Sequence, residues 1–225
     1  MKLSLVDYPG QVAAAVFTIG CNFRCGYCHN PELVVPEQYT DELDEAEILK
    51  FLQSRVNKLD GVAISGGEPT LHKDLPEFIQ KMKDMGLKIK LDSNGSNPDM
   101  LEKLFDRKLV DFVAMDVKGP LEKYKEIMSW EIDPAIMRRS VRLIIESGVK
   151  HEFRTTIVKS QLQPEDFHAV GKLVKGAERY ALQHFRPNNC MVDTEKFKHE
   201  SAYGEKDMER IRKIMLGYVK SCVIH

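Results

Sequence analysis

Three observations predict an α/β fold, a parallel sheet with helices outside. Short β-branched and apolar runs alternate with amphipathic segments along the whole chain. Six such strand–helix units follow one another, the order that builds parallel sheets. Polar clusters stand just after the first four apolar runs, at the strand ends where α/β folds carry their function. With 225 residues, 43% of them hydrophobic, the chain can bury a core, and one domain over residues 1–225 is expected.

Val6-Asp7-Tyr8-Pro9-Gly10 reads as a turn before the first strand, Val12 to Ile19, which ends at Gly20. Asp44 to Asn57 places Ile48, Leu49, Leu52 and Val56 on one helical face. Asp60 to Ser65 is a strand running into Gly66-Gly67, and Lys73 to Met85 a helix closed by Gly86. Leu87 to Leu91, Val110 to Met115, His151 to Val158 and Tyr180 to Phe185 are the remaining strands. Helices are expected over Pro98 to Arg107, Pro134 to Ser147 (stopped by Gly148), Pro164 to Lys175 and about Glu205 to Val219. Gly119 to Trp130 and Pro187 to Gly204 read as irregular. Six units fall short of the eight of a complete barrel.

A net charge of −1 and a pI near 6.7 give no footprint for nucleic acid or an anionic membrane surface. No apolar run approaches the roughly 20 residues of a membrane span. Met1-Lys2-Leu3-Ser4 lacks the apolar region of a signal peptide. With free thiols besides, a cytoplasmic location is expected.

The chemistry concentrates in Cys21-Asn22-Phe23-Arg24-Cys25-Gly26-Tyr27-Cys28-His29-Asn30-Pro31-Glu32, which holds three of the five cysteines as C-x3-C-x2-C. Such spacings let thiolates of one loop converge on one metal centre. A closed structural site normally takes four protein ligands, whereas three leave a position open for a cofactor or substrate. A disulfide framework suits neither the odd cysteine count nor the size of the chain. Zinc completed by His29 or by Cys190 is an alternative. Cys190 and Cys222 are isolated, cannot supply a second cluster, and read as structural thiols.

With Tyr27 just before its last cysteine, this loop resembles the cluster loop of the radical S-adenosylmethionine enzymes. The following C-H-N-P-E resembles the activating enzymes of glycyl radical enzymes. The resemblance implies a partial (β/α)6 barrel and one 4Fe–4S cluster on Cys21, Cys25 and Cys28. The fourth iron would bind S-adenosylmethionine, which one-electron reduction cleaves to methionine and a 5′-deoxyadenosyl radical. Gly66-Gly67-Glu68 also suits a ligand's amino group on its own chemistry, glycines for close approach and a carboxylate for charged N–H donors. It matches the family's segment for the amino group of S-adenosylmethionine. Asp92-Ser93-Asn94-Gly95 and Asp116-Val117-Lys118 resemble the D-T-N-G and D-L-K segments of the activases. That implies Asp92 and Asp116 beside a monovalent cation and Lys118 near the ribose or carboxylate. Each cluster alone has a plainer reading as a turn or helix cap, but four of them at successive strand ends make coincidence the minority reading.

Arg154-Thr155-Thr156 puts an arginine on the fifth strand, either solvent-facing or, by the resemblance, near S-adenosylmethionine or the incoming glycine loop, with Thr156 beside it. His184 on the sixth strand resembles the activases' histidine near the adenine, with Phe185 and Arg186 as competitors for the place. Val6-Asp7-Tyr8-Pro9-Gly10 resembles the V-D-G-P-G segment, whose aspartate sits near the substrate glycine; Tyr8 replaces a glycine.

The favoured function is therefore activation of a glycyl radical enzyme subunit by hydrogen abstraction from its glycine, with reduced flavodoxin or ferredoxin as donor. Gln183-His184-Phe185-Arg186-Pro187 and the compact size are most similar to the activases of anaerobic ribonucleoside-triphosphate reductases. The alternatives are a radical enzyme acting on a small molecule in cofactor or modified-nucleoside biosynthesis, and a non-enzymatic zinc- or iron-binding module.

Overall fold

The computed structural model describes residues 2–4 and 7–225, the first three by their backbone alone. Val6, the first residue of the V-D-x-P-G segment, lies outside the described residues. In chain order the elements are β1 (Lys2–Ser4), β2 (Ala13–Thr18), α1 (Pro31–Val34), α2 (Glu45–Gln53), β3 (Gly61–Gly66), α3 (Leu75–Asp84), β4 (Lys88–Ser93) and α4 (Pro98–Asp106). There follow β5 (Phe112–Asp116), α5 (Tyr124–Met128), α6 (Pro134–Glu146), β6 (Lys150–Ile157), α7 (Phe167–Leu173), β7 (Arg179–His184), α8 (Thr194–Phe197), α9 (Glu205–Leu216) and β8 (Ser221–Ile224).

Among the described residues there is one eight-stranded sheet in the order β1 to β8. β1 lies antiparallel on β2 and every later pair is parallel. β1 and β8 stand at the two ends of the sheet, which makes the barrel partial and leaves a lateral opening. The fold is the predicted α/β partial barrel.

Local chemistry explains where the helices begin and stop. Asp44, Asn97 and Asp133 accept the N-terminal amides of Ala46, Met100 and Ala135 at 2.6, 3.2 and 2.8 Å. Gly86 and Gly148 stand just beyond α3 and α6 at φ +81° and +73°, which glycine tolerates best. α2 stops at Gln53 rather than at Asn57, because residues 54–58 turn so that Leu59 can be buried.

Both stretches read as irregular hold short helices. α5 buries Tyr124, Ile127 and Met128, and α8 buries Phe197. Four or five residues carry too little periodicity to announce a helix; tertiary contact makes them. β1 and β8 were unforeseen for the same reason, being three and four residues long.

The strands alternate. Val16, Val62, Ile64, Ile89, Leu91, Val113, Met115, Phe153, Tyr180 and Leu182 join the helices' Leu52, Ile79, Met82, Leu104, Ile144, Val170 and Ile211 in one buried cluster. The residues between them face the other way, into the barrel. There β4 to β7 present Lys90, Asp92, Asp116, Glu152, Arg154, Thr156 and Arg179. A complete barrel fills its interior with branched apolar side chains; this one lines it with charge. Among the described residues, no helix is long and apolar enough to cross a membrane.

Candidate active site

The cysteine loop leaves β2 at its C-terminal end and is pinned along its length. Gly20 N donates to Leu33 O at 2.8 Å, and Arg24 N to Met128 O at 2.8 Å. Val192 N and Asp193 N donate to Cys28 O and Gly26 O at 3.0 and 2.8 Å, so the chain after β7 lies against the loop. Gly26 has no room for a side chain, since a Cβ would stand 2.6 Å from the Phe197 ring. Arg24 turns its guanidinium back onto the carbonyls of Cys21 and Phe23 and stabilises the turn.

Cys21, Cys25 and Cys28 line one cavity of about 570 Å³. Burial pushes the Cys25 thiol up to about 12. Burial raises Cys21 and Cys28 as well, against the pull of the Phe23 and Asn30 amides. Thiols so placed become thiolates when a cation balances them, as metal ligation does. Among the described residues no three His, Cys, Asp or Glu side chains converge tightly enough to hold a single metal ion. The thiols instead border a common space, the arrangement that suits a multi-iron cluster with a separate iron for each sulfur. Of the two side chains that would complete a zinc site, His29 lines the cavity stacked on Phe185 with centroids 5.9 Å apart, and Cys190 is exposed and is not among the residues that line it.

Tyr27 supports the fit of a cofactor. It is 6% exposed and lines the cavity, with its ring edge-on to Phe185 and Phe197 at 6.2 and 6.1 Å. Among the described residues its hydroxyl is the one buried side-chain polar atom without a partner. A buried hydroxyl left unpaired is costly, so the cavity is built for an occupant that pairs with it.

Gly66-Gly67-Glu68 ends β3 at the same cavity, but its residues face the protein. A Cβ on Gly66 would stand 2.3 Å from Thr18 N and O, and one on Gly67 2.0 Å from Gly20 O. Gly67 N donates to Thr18 O at 2.9 Å and Glu68 N to Gly20 O at 2.8 Å. The glycines thus let two backbones touch where the cysteine loop begins. Glu68, expected to face a ligand's amino group, lines the cavity and is at the same time engaged by the protein. It is wholly buried and accepts from Thr70 N at 3.1 Å, Thr70 Oγ1 at 2.5 Å, Ser93 Oγ at 2.9 Å and Asn94 N at 2.5 Å. Burial raises its carboxyl while these four donors oppose the rise.

The ends of β4, β5 and β6 form one chain of charges. Lys90 pairs with Asp92, and Arg154 Nη2 reaches Asp92 Oδ2 at 3.4 Å. Arg154 Nε meets Asp116 Oδ1 at 2.6 Å, and Lys118 Nζ meets Asp116 Oδ2 at 3.1 Å. Where a monovalent cation is expected beside Asp92 and Asp116, the guanidinium of Arg154 reaches both carboxylates. Arg154 therefore points inward. Burial works against the charge of Asp116, yet Arg154 and Lys118 hold its carboxyl well below the usual range. Burial likewise opposes the charges of Lys118 and Arg154, and Asp116 raises both.

Thr156 and His184 line the cavity too, together with Gln183, Arg186, Pro187 and Asn188. Thr156 Oγ1 donates to Gln183 Oε1 at 3.2 Å. Asp7 is not brought there. It lies on the turn between β1 and β2, whose strand length of roughly 20 Å separates it from the cysteines. Its neighbour Tyr8 packs on Phe112 at 6.1 Å and against Gly61, at the opposite ends of β5 and β3. Phe23, Ser65, Gln183 and Asn188 are lining residues that sequence reasoning missed. Ser65 and Gln183 were within reach, by counting alternate residues back from the strand ends.

The description "Radical SAM superfamily" belongs to the family profile that matches residues 15–172. A protein of Methanocaldococcus jannaschii, provisionally named a glycyl-radical enzyme activating enzyme, is 35% identical over 230 residues, covering 100% of this chain and 93% of its own. The pyruvate formate-lyase-activating enzyme of Listeria monocytogenes is 35% identical over 128 residues, 52% of this chain and 50% of its own. The crystal structure of Streptococcus suis SuiB bound to S-adenosylmethionine superposes with a TM-score of 0.71 at 16% identity, over 95% of this chain and 50% of that one. The chain thus spans about half the length of the last two proteins.

Proposed function

The chain belongs to the radical S-adenosylmethionine superfamily, whose members use a 4Fe–4S cluster and S-adenosylmethionine, and we propose that it activates a glycyl radical enzyme. One observation carries this reading: the similarity to the Methanocaldococcus jannaschii protein runs the length of both chains. Bound together, cluster and S-adenosylmethionine supply hydrogen-atom abstraction driven by one external electron, from reduced flavodoxin or ferredoxin.

In this reading residues 1–225 form one domain, working in a reducing cytoplasm where its thiols stay free. Cys21, Cys25 and Cys28 ligate the cluster, and Tyr27 offers its hydroxyl to the bound nucleoside. Lys118, Arg154, Thr156 and His184 orient the cofactor, with Asp92 and Asp116 holding the two cations in place. Gly66, Gly67, Glu68, Ser93 and Asn94 shape the floor on which it rests.

The geometry favours a substrate that enters from outside. A cavity of about 570 Å³ lies within the roughly 300–1,000 Å³ of a single drug-sized ligand site. Cluster and S-adenosylmethionine, held by these lining residues, would take up a space of this size, so a small substrate would need a separate chamber. The open side between β1 and β8 admits an extended glycine segment of a partner subunit, whose Cα–H must then meet the cofactor at contact distance.

The test is anaerobic reconstitution with iron and sulfide, dithionite reduction with S-adenosylmethionine, and addition of candidate glycyl radical subunits, the anaerobic ribonucleotide reductase among them. Formation of 5′-deoxyadenosine together with a glycyl radical signal on the subunit is expected, both lost in Cys25→Ala. Steady 5′-deoxyadenosine without a protein radical, consumed alongside a small molecule, would sink the proposal and leave the small-molecule reading.

A further inference from the structure

We infer that the side-chain amide of Asn94 is a hydrogen-bond donor to the sulfur of Cys21 and so sets the reduction potential of the cluster. The inference rests on the reading of Cys21, Cys25 and Cys28 as cluster ligands. Asn94 Nδ2 carries two hydrogens. One is given to Asn22 Oδ1 at 2.9 Å, and the other faces Cys21 Sγ at 3.9 Å. The same sulfur accepts from Phe23 N at 3.4 Å.

The amide has no freedom to turn elsewhere. Ser96 N donates to Asn94 Oδ1 at 2.9 Å, which fixes the plane of the group from its other end. The backbone N of Asn94 is held by Glu68 Oε2 at 2.5 Å. Glu68 in turn is wholly buried, and its own amide donates to Gly20 O at 2.8 Å, one residue before Cys21. The contacts close into a circuit: Gly20, Cys21, Asn94, Glu68 and back to Gly20. A rise or shift of the cysteine loop therefore carries the donor with the sulfur it serves.

A glutamate bound to four protein donors is better placed to hold such a donor than to meet a ligand. The physical effect has a definite sign. One electron from an external donor adds one negative charge to the cluster and its thiolates. An N–H aimed at a ligating sulfur stabilises that more negative state and raises the potential. Asn94 acts through Cys21 and is a positioning residue.

The experiment is a potentiometric titration with dithionite, followed by electron paramagnetic resonance, on reconstituted wild type and Asn94→Ser, whose hydroxyl is too short to reach Cys21. A more negative midpoint in the variant, with iron and sulfide per chain equal to wild type, is the expected result. An unchanged midpoint at equal iron content overturns the role of Asn94 and leaves the proposed function standing. A wild-type protein that takes up no 4Fe–4S cluster overturns both. If Asn94→Ser loads poorly, wild-type protein labelled with ¹⁵N in its asparagine side-chain amides decides by electron–nuclear double resonance. Hyperfine coupling to such a nitrogen is expected, and its absence overturns the inference.

Discussion

Gly67→Ala tests whether the glycine pair serves the protein's own backbone. The added Cβ would stand 2.0 Å from Gly20 O, 2.5 Å from Gly20 C and 3.0 Å from Leu33 O. All three are backbone atoms with no rotamer to escape into, and the closest is about 1.5 Å short of van der Waals contact. The end of β3 and the start of the cysteine loop must part. The bonds from Gly67 N to Thr18 O and from Glu68 N to Gly20 O, at 2.9 and 2.8 Å, are then lost. Two buried backbone bonds left unmade cost about 1–3 kcal/mol each, so about 2–6 kcal/mol is expected. For a chain of this size that is a fall of roughly 5–25 °C in Tm. Gly86→Ala is the control, at φ +81° with nothing within 4 Å of its Cβ; its cost is the conformational term alone, about 1–2 kcal/mol. Circular dichroism melting of the metal-free protein gives the stabilities, and iron per chain after reconstitution reports the loop. A Gly67→Ala protein that melts with Gly86→Ala and loads iron like wild type would refute the clasp.

Two further outcomes follow from the charges. Arg154→Met leaves Asp92 with Lys90 and Asp116 with Lys118, so each carboxylate keeps one partner. The loss is then about 2–3 kcal/mol, below the 3–5 typical of a stranded buried charge. Because Asp116 is held below its ordinary 3.8, its contribution is present above that pH and lost on acidification. The gap in Tm between wild type and variant should narrow as pH falls through 4, and a gap independent of pH contradicts the pairing. In β8, burial pushes the Cys222 thiol from 9.0 up to about 12. A thiol kept neutral in the fold stabilises fully below pH 9 and progressively less from pH 9 towards 12. Alkaline melting of Cys222→Ala should decline less steeply than wild type, and parallel curves exclude the effect.

The fold was legible because its signals are local. Amphipathic periods, aspartate and asparagine caps and the glycines after α3 and α6 each act within one element, so six strand–helix units could be read in order. β1, β8, α5 and α8 were not legible, since elements of three to five residues exist by virtue of what they pack against. Arg24 of the cysteine loop bonds to Met128 at the end of α5, and Gly26 makes room for Phe197 of α8. No pattern inside those short segments says so.

The location of the site was legible for the same reason that the roles of its residues were not. Strand ends gather polar side chains whatever those side chains do there, so counting strands finds the cavity. Whether a carboxylate serves a ligand or the protein depends on donors far along the chain. Glu68 is claimed by Ser93 and Asn94, twenty-five and twenty-six positions away. Asp92 and Asp116 are claimed by Arg154, whose orientation on β6 was open until the sheet register placed it opposite Asp116. A short motif fixes which atoms are available, and the register fixes which are already taken. Facing the cavity here are the three thiols, the unpaired hydroxyl of Tyr27 and the cationic side chains of Lys118 and Arg186. Their combination calls for an occupant that ligates sulfur on one side and accepts hydrogen bonds on the other.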